Sequence, residues 1–124
     1  MERFVLMKTR LGAKEAQASF HAGIVKDVLA AVSKHSVVVV GMALNPHVKN
    51  AKNRLQKENI TFEYLEYGGY FSMWKQRLAV KLWSGWPTFP QIFVNGSLVG
   101  GDFELKKTIA SGELQEWLKE GRHE

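Results

Sequence analysis

Apolar positions change their period several times along this chain, and each change marks an element. From Ala22 to Lys34, Ile24, Val25, Val28, Leu29 and Val32 recur every three or four residues, which predicts an amphipathic helix. Val37 to Val40 is an unbroken β-branched run, as expected of a strand buried on both faces. Pro46 suits the first turn of a helix, where its missing N–H has no partner to lose. That helix is expected to run through Ala51 and Leu55 to about Glu58. Ile60, Phe62 and Tyr64 alternate, so a second strand is expected from Ile60 to Tyr67, broken by Gly68-Gly69. Met73, Trp74, Arg77, Leu78 and Leu82 return to helical spacing within Phe71–Trp83. Gln91–Val94, Asn95-Gly96 and Ser97–Val99 read as strand, tight turn and strand. Gly100-Gly101 opens a final helix, interrupted near Ser111-Gly112. Residues 1–20 are weakly periodic and fit a helix, a short strand or an arm.

The order is α, β, α, β, α, β, β, α. A strand–helix–strand unit gives a parallel pair joined by a right-handed crossover, and the hairpin gives an antiparallel pair. The expected fold is α/β: a thioredoxin-like three-layer domain with a four-stranded mixed sheet and helices on both faces. The chain has 124 residues, enough for a single globular domain. Within it, residues 1–35 form an N-terminal segment and first helix, and residues 36–124 form the main body.

Composition narrows the classes. Hydrophobic residues make up 45% and charged residues 23%, the balance of an ordinary globular protein. No apolar run approaches a membrane span, and the first residues do not read as a secretory leader, so the cytoplasm is the expected location and no membrane partner is expected. Net charge is +5, which favours acidic partners in general. The lysines and arginines are spread at helical spacing among polar neighbours, so they read as solvated helix faces, and nucleic acid is disfavoured as a partner.

There is no cysteine. Thiolates are the nucleophiles of disulfide exchange and the ligands of soft metals, so both chemistries are absent from this chain. Asn45, ahead of Pro46, reads as a helix N-cap. His47 is a lone histidine without companion ligands, and no metal or iron–sulfur cluster is expected. Gly100 and Gly101 read as positions of close packing or positive φ, with anion binding at the following helix as a functional extra. Asp102 reads first as the cap of that helix. Trp74, Trp83 and Trp86 read as core and rim packing rather than a base-stacking platform.

The stretch from about Val37 to Lys119 resembles the glutaredoxins. Trp86-Pro87-Thr88-Phe89-Pro90 is similar to the family's cis-proline segment in the form typical of single-cysteine members. Gln91–Gly96 resembles the hairpin that follows, Gly100-Gly101 the paired glycines, and Ser111-Gly112-Glu113-Leu114 a late-helix pattern of the same subgroup. The departures are as specific. By this resemblance Asn45 stands at the nucleophilic cysteine, Val48 at the resolving one, and Met42 at a lysine that binds a glutathione carboxylate. Phe103 stands at an acidic residue, with Asp102 one position early. The longer loop that the single-cysteine subgroup carries before its cysteine is missing.

The resemblance implies a cis bond before Pro90. It also implies a glutathione-like groove lined by Arg77, Thr88, Phe89, Pro90, Gly100, Gly101 and Asp102. In it Arg77 would take a carboxylate, Thr88 and Phe89 would offer backbone groups, and Asp102 would meet a γ-glutamyl amino group. Arg77 also reads as an ordinary helix-surface arginine. The expected function is a non-catalytic module that binds glutathione, a thiol peptide or an extended protein segment. An alternative is a glutathione-dependent enzyme, oxidoreductase-related or transferase-like, that activates bound thiol without a sulfur of its own. Another is docking of the basic N-terminal third on an acidic partner. Thiol–disulfide oxidoreductase activity is not supported, because no cysteine is present.

Overall fold

The structure, a computed structural model, describes residues 22–121. The expectations for residues 1–20 lie outside them. Helix α1 spans Ala22–Lys34, β1 Val37–Gly41, α2 Pro46–Lys57, β2 Glu63–Glu66, α3 Trp74–Ser84, β3 Gln91–Val94, β4 Ser97–Gly100, α4 Asp102–Ser111 and α5 Glu113–Glu120. The sheet order is β2-β1-β3-β4. β1 pairs with β2 in parallel and with β3 antiparallel, and β3 pairs antiparallel with β4. This is the expected thioredoxin-like fold.

β1 organises the interior. All five of its residues are buried. Successive side chains of a strand point to opposite faces, so a run without polar residues supplies two cores. Val38 and Val40 join Val28 and Val32 of α1, Val80 of α3 and Phe93 of β3. Val37 and Val39 join Ala51 and Leu55 of α2, Ile92 and Val94 of β3, Leu105 of α4 and Leu114 of α5. Helices therefore cover both faces.

Three expectations need correction. β2 begins at Glu63 and not at Ile60. The Ile60 N–H donates instead to Leu55 O at the end of α2 (2.9 Å), while Ile60 and Phe62 still pack into the second core. The alternation was a burial signal, and the ladder itself is shorter. α3 begins at Trp74 and not at Phe71, after Met73 in the left-handed region at φ 56°. Leu29 of α1 and Trp74 of α3 face solvent, although both were expected on apolar inner faces. Trp83 sits at the rim, its ring centroid 5.6 Å from that of Phe93.

The hairpin and the last helices form as expected. Asn95 and Gly96 both have positive φ, 50° and 86°, as a two-residue hairpin turn requires. The Asn95 side-chain amide donates to Trp117 O and Gly121 O, fastening the turn to α5. Gly112, at φ 83°, separates α4 from α5.

Gly41 ends β1 where two side chains close over the backbone. A Cβ there would lie 2.7 Å from Val48 Cγ1 and 3.0 Å from the Tyr64 ring. Both neighbours are packed, so neither can retreat freely. Gly41→Ala is expected to lower stability by about 1–3 kcal/mol through overpacking, read from the midpoint of a denaturant titration. An unchanged midpoint would show that Val48 and Tyr64 yield.

Candidate functional site

β1 delivers the chain to a short turn, Met42–Asn45, and then to α2. The Tyr67 N–H donates to Gly41 O (3.0 Å), and the Ala43 N–H donates to Gly68 O (2.6 Å). These bonds tie the turn to the loop after β2. Leu44 stands out at φ 59° with its side chain in solvent. Asn45 then caps α2, as expected: its Oδ1 accepts from the His47 N–H at 2.9 Å and the Val48 N–H at 3.1 Å. Val48 and Met42 are core residues of the α1/α3 layer. The three positions that the resemblance aligns with two thiols and a lysine thus hold a helix cap and two core side chains.

The loop from Gly85 to Pro90 faces the start of α2. The Phe89–Pro90 bond is cis, as expected. The Trp86 N–H donates to Ser84 Oγ (3.1 Å), and the Gln91 side-chain amide donates to Trp86 O (3.0 Å). Phe89 is buried beneath the loop, with Lys81 Nζ 5.7 Å from its ring centroid, while Thr88 is exposed. Trp86 Nε1 is buried and has no hydrogen-bond partner among the described residues.

Against this loop lies the start of α4. Gly100 has φ 130°, and a Cβ on it would meet Glu104 Cγ at 2.8 Å, so the expected need for glycine holds here. Asp102 is not the cap of α4. Gly101 occupies the N-cap, its N–H is taken by Glu104 Oε1 at 2.9 Å, and Asp102 is the first helical residue. The Asp102 carboxylate is held instead by Arg54 of α2, with Nε–Oδ1 2.8 Å and Nη2–Oδ2 3.3 Å. That bond holds the Arg54 guanidinium still more firmly protonated, against a smaller opposing cost of burial.

A cleft of about 400 Å3 opens between these three segments. Of the residues that the resemblance groups here, Thr88, Phe89, Pro90, Gly101 and Asp102 line it and Gly100 does not; His47, Arg54, Trp86, Phe103, Glu104 and Lys106 join them. Arg54 had gone unnoticed. One signal was available: His47 and Arg54 are seven residues apart on α2, hence on one face. Among the described residues no three His, Asp or Glu side chains stand together as a metal site.

Arg77 is neither on the surface nor in this cleft. It is buried, and Nη1 donates to Tyr67 O at 2.9 Å and to Ser72 O at 2.6 Å. It clamps the loop between β2 and α3, which accounts for the late start of that helix. A second shallow cleft flanks α2 on its other side, between Met42, Leu44, Lys49, Lys52 and Tyr64. There Lys52 Nζ lies 4.0 Å from the Tyr64 ring centroid, and the phenol donates to Glu66 at 2.9 Å. Burial first, and then that bond, push the Tyr64 phenol above its ordinary range.

A parallel β-strand pair, an antiparallel hairpin and a cis-proline facing a helix N-terminus define the class as thioredoxin-like. A family profile, Glutaredoxin, matches residues 37–99. A glutaredoxin-like protein of Dictyostelium discoideum is 45% identical over 101 residues, which is 82% of each chain. An uncharacterized monothiol glutaredoxin-like protein of Synechocystis is 35% identical over 96 residues, covering 75% of this chain and 87% of its own. Among solved structures, a buckwheat glutaredoxin–glutathione complex superposes with a TM-score of 0.71 at 18% identity, over 80% of this chain and 90% of that one, a likeness of fold. The chain belongs to the glutaredoxin family, and it has no cysteine.

Replacing Arg77 by Met leaves the Tyr67 and Ser72 carbonyls without their donor. The expected loss is about 2–4 kcal/mol of folding stability by denaturant titration. A variant as stable as the parent would remove Arg77 from its structural role and return it to the surface.

Proposed function

We propose that this protein is a non-catalytic binding module, which takes glutathione or a similar γ-glutamyl thiol peptide in the cleft beside the start of α2. The observation that carries the reading is the convergence of Thr88, Phe89, Pro90, Gly101 and Asp102 on that cleft. Thr88, exposed just before the cis bond, would offer its main chain to a peptide. Arg54 and Lys106 supply positive charge for ligand carboxylates, and Asp102 and Glu104 supply negative charge for an ammonium group. The buckwheat protein of the same fold was solved with glutathione, which makes glutathione the natural probe.

Disulfide exchange has no nucleophile here. A transferase-like role with Asn45 as the activating group has less support, because its Oδ1 already accepts from both N–H groups that would stabilise a thiolate. Asn45 also lines the cleft on the other side of α2 and not this one.

Reduced glutathione titrated into 15N-labelled protein is expected to shift the amides of His47, Thr88, Phe89, Gly101 and Asp102. Saturation is expected with a Kd on the order of 1 mM or tighter. Lys106→Glu is expected to weaken binding several-fold without unfolding the domain. Absence of shifts, or shifts scattered outside the cleft, would overturn the reading.

A further inference from the structure

The outer face of α3 is apolar where a surface helix is ordinarily polar. Trp74, Leu78 and Leu82 recur every four residues and form a stripe about 12 Å long. Trp74 is 58% exposed and Leu82 57%, and Phe71, just before the helix, is fully exposed. Tyr70 and Trp83 extend the patch at its two ends. Lone exposed apolar residues are common, but a contiguous aromatic and aliphatic stripe marks an interaction surface. Aromatic residues and few charges are the composition of a protein interface core.

Charge selects the occupant. From Tyr67 to Gly101 the sequence contains no Asp or Glu, while it carries Lys75, Arg77 and Lys81. Arg77 is buried on the inner side. Lys75 lies beside the stripe with Nζ 5.6 Å from the Trp74 ring, and Lys81 reaches the Phe89 ring. Asp27 of α1 acts at the base of the loop, where burial first and then this carboxylate raise the phenol of Tyr67. A two-fold contact between copies would set lysines against lysines with no acid in the stripe to answer them. The chain's own first twenty-one residues carry four cations and two acids, so they offer no complement either.

We propose that the α3 face docks an acidic amphipathic helix of another protein. Its apolar residues would pack along Trp74, Leu78 and Leu82, and its carboxylates would meet Lys75 and Lys81. Like-charged partners would be excluded by the same lysines. Trp74, Lys75, Leu78 and Leu82 do not line the cleft, although Lys81 reaches Phe89, which does, so shifts at Trp74–Leu78 read this proposal separately from glutathione binding.

The probe is a synthetic helix-forming peptide with Leu and Trp at i, i+4 and i+7 and Glu on both flanks. Its twin has Lys in place of Glu. With 15N-labelled full-length protein, the Glu peptide is expected to shift amides from Tyr70 to Trp83. It is expected to bind at least about tenfold more tightly than its twin. Leu78→Glu, at an exposed position, is expected to abolish those shifts and leave the rest of the spectrum unchanged. Equal binding of both peptides, or shifts elsewhere, would overturn the proposal. So would a sedimenting dimer that Leu78→Glu disperses, or flotation on phosphatidylcholine–phosphatidylserine vesicles. Nuclear Overhauser contacts from Phe4–Met7 to Trp74 and Leu78 in the protein alone would overturn it by showing the face already covered.

Discussion

One carboxamide oxygen decides what the start of α2 can do. The first N–H groups of a helix have no partner within it, and they are the donors that lower the pKa of a thiol placed there. In this chain Asn45 Oδ1 accepts from two of them. The cap keeps the helix start satisfied with no charge developing at that point. β1 leads into the cap, and the 85–90 loop and α4 form a cleft with His47 and Arg54 of the capped helix, while Asn45 itself lines the cleft on the other side of α2. Val48, one turn inward, completes the change by filling core space.

Two arginines divide the work that the sequence assigned to one. Arg77 supports the loop after β2 through backbone carbonyls and is closed to a ligand on that side. Arg54 reaches across from α2 to α4, pairs with Asp102 and brings positive charge to the cleft rim. The pair is about a third exposed on the arginine side, so its worth lies in fixing Asp102 and not in large stability. The charge pattern of the cleft is two cations, Arg54 and Lys106, beside two carboxylates, Asp102 and Glu104.

The elements were legible wherever one physical signal dominated. β1 was plain because a strand buried on both faces has no polar alternation to confuse with a helix. The hairpin was plain because Asn-Gly meets the need for two positive φ values. α2 was plain because Asn-Pro supplies both a cap and a first-turn residue. The start of α3 was not legible, since it depends on Arg77 reaching back to Tyr67 and Ser72. Helical spacing continues through residues that the Arg77 guanidinium holds out of the helix. The Arg54–Asp102 pair was hidden for a different reason: the two residues are far apart in the chain, and only the packing of α2 against α4 brings them together. Of the site residues, those on one contiguous segment or beside the paired glycines could be grouped from sequence, and those contributed across layers could not.

The central claim is the proposed glutathione-binding cleft beside the start of α2, with Asn45 at the position where the resemblance places the reactive sulfur. The direct measurement is the reaction of an Asn45→Cys variant with oxidised glutathione, followed by intact mass and by thiol titration against pH. In that reaction the new thiolate attacks one sulfur of the oxidised glutathione, forms a mixed disulfide and releases one reduced glutathione. The account predicts one glutathione adduct per chain and a thiol pKa below its ordinary value of about 8.5, because the freed His47 and Val48 N–H groups face the sulfur. No adduct, together with an unshifted or raised pKa, would contradict it and show that the cleft has closed to glutathione.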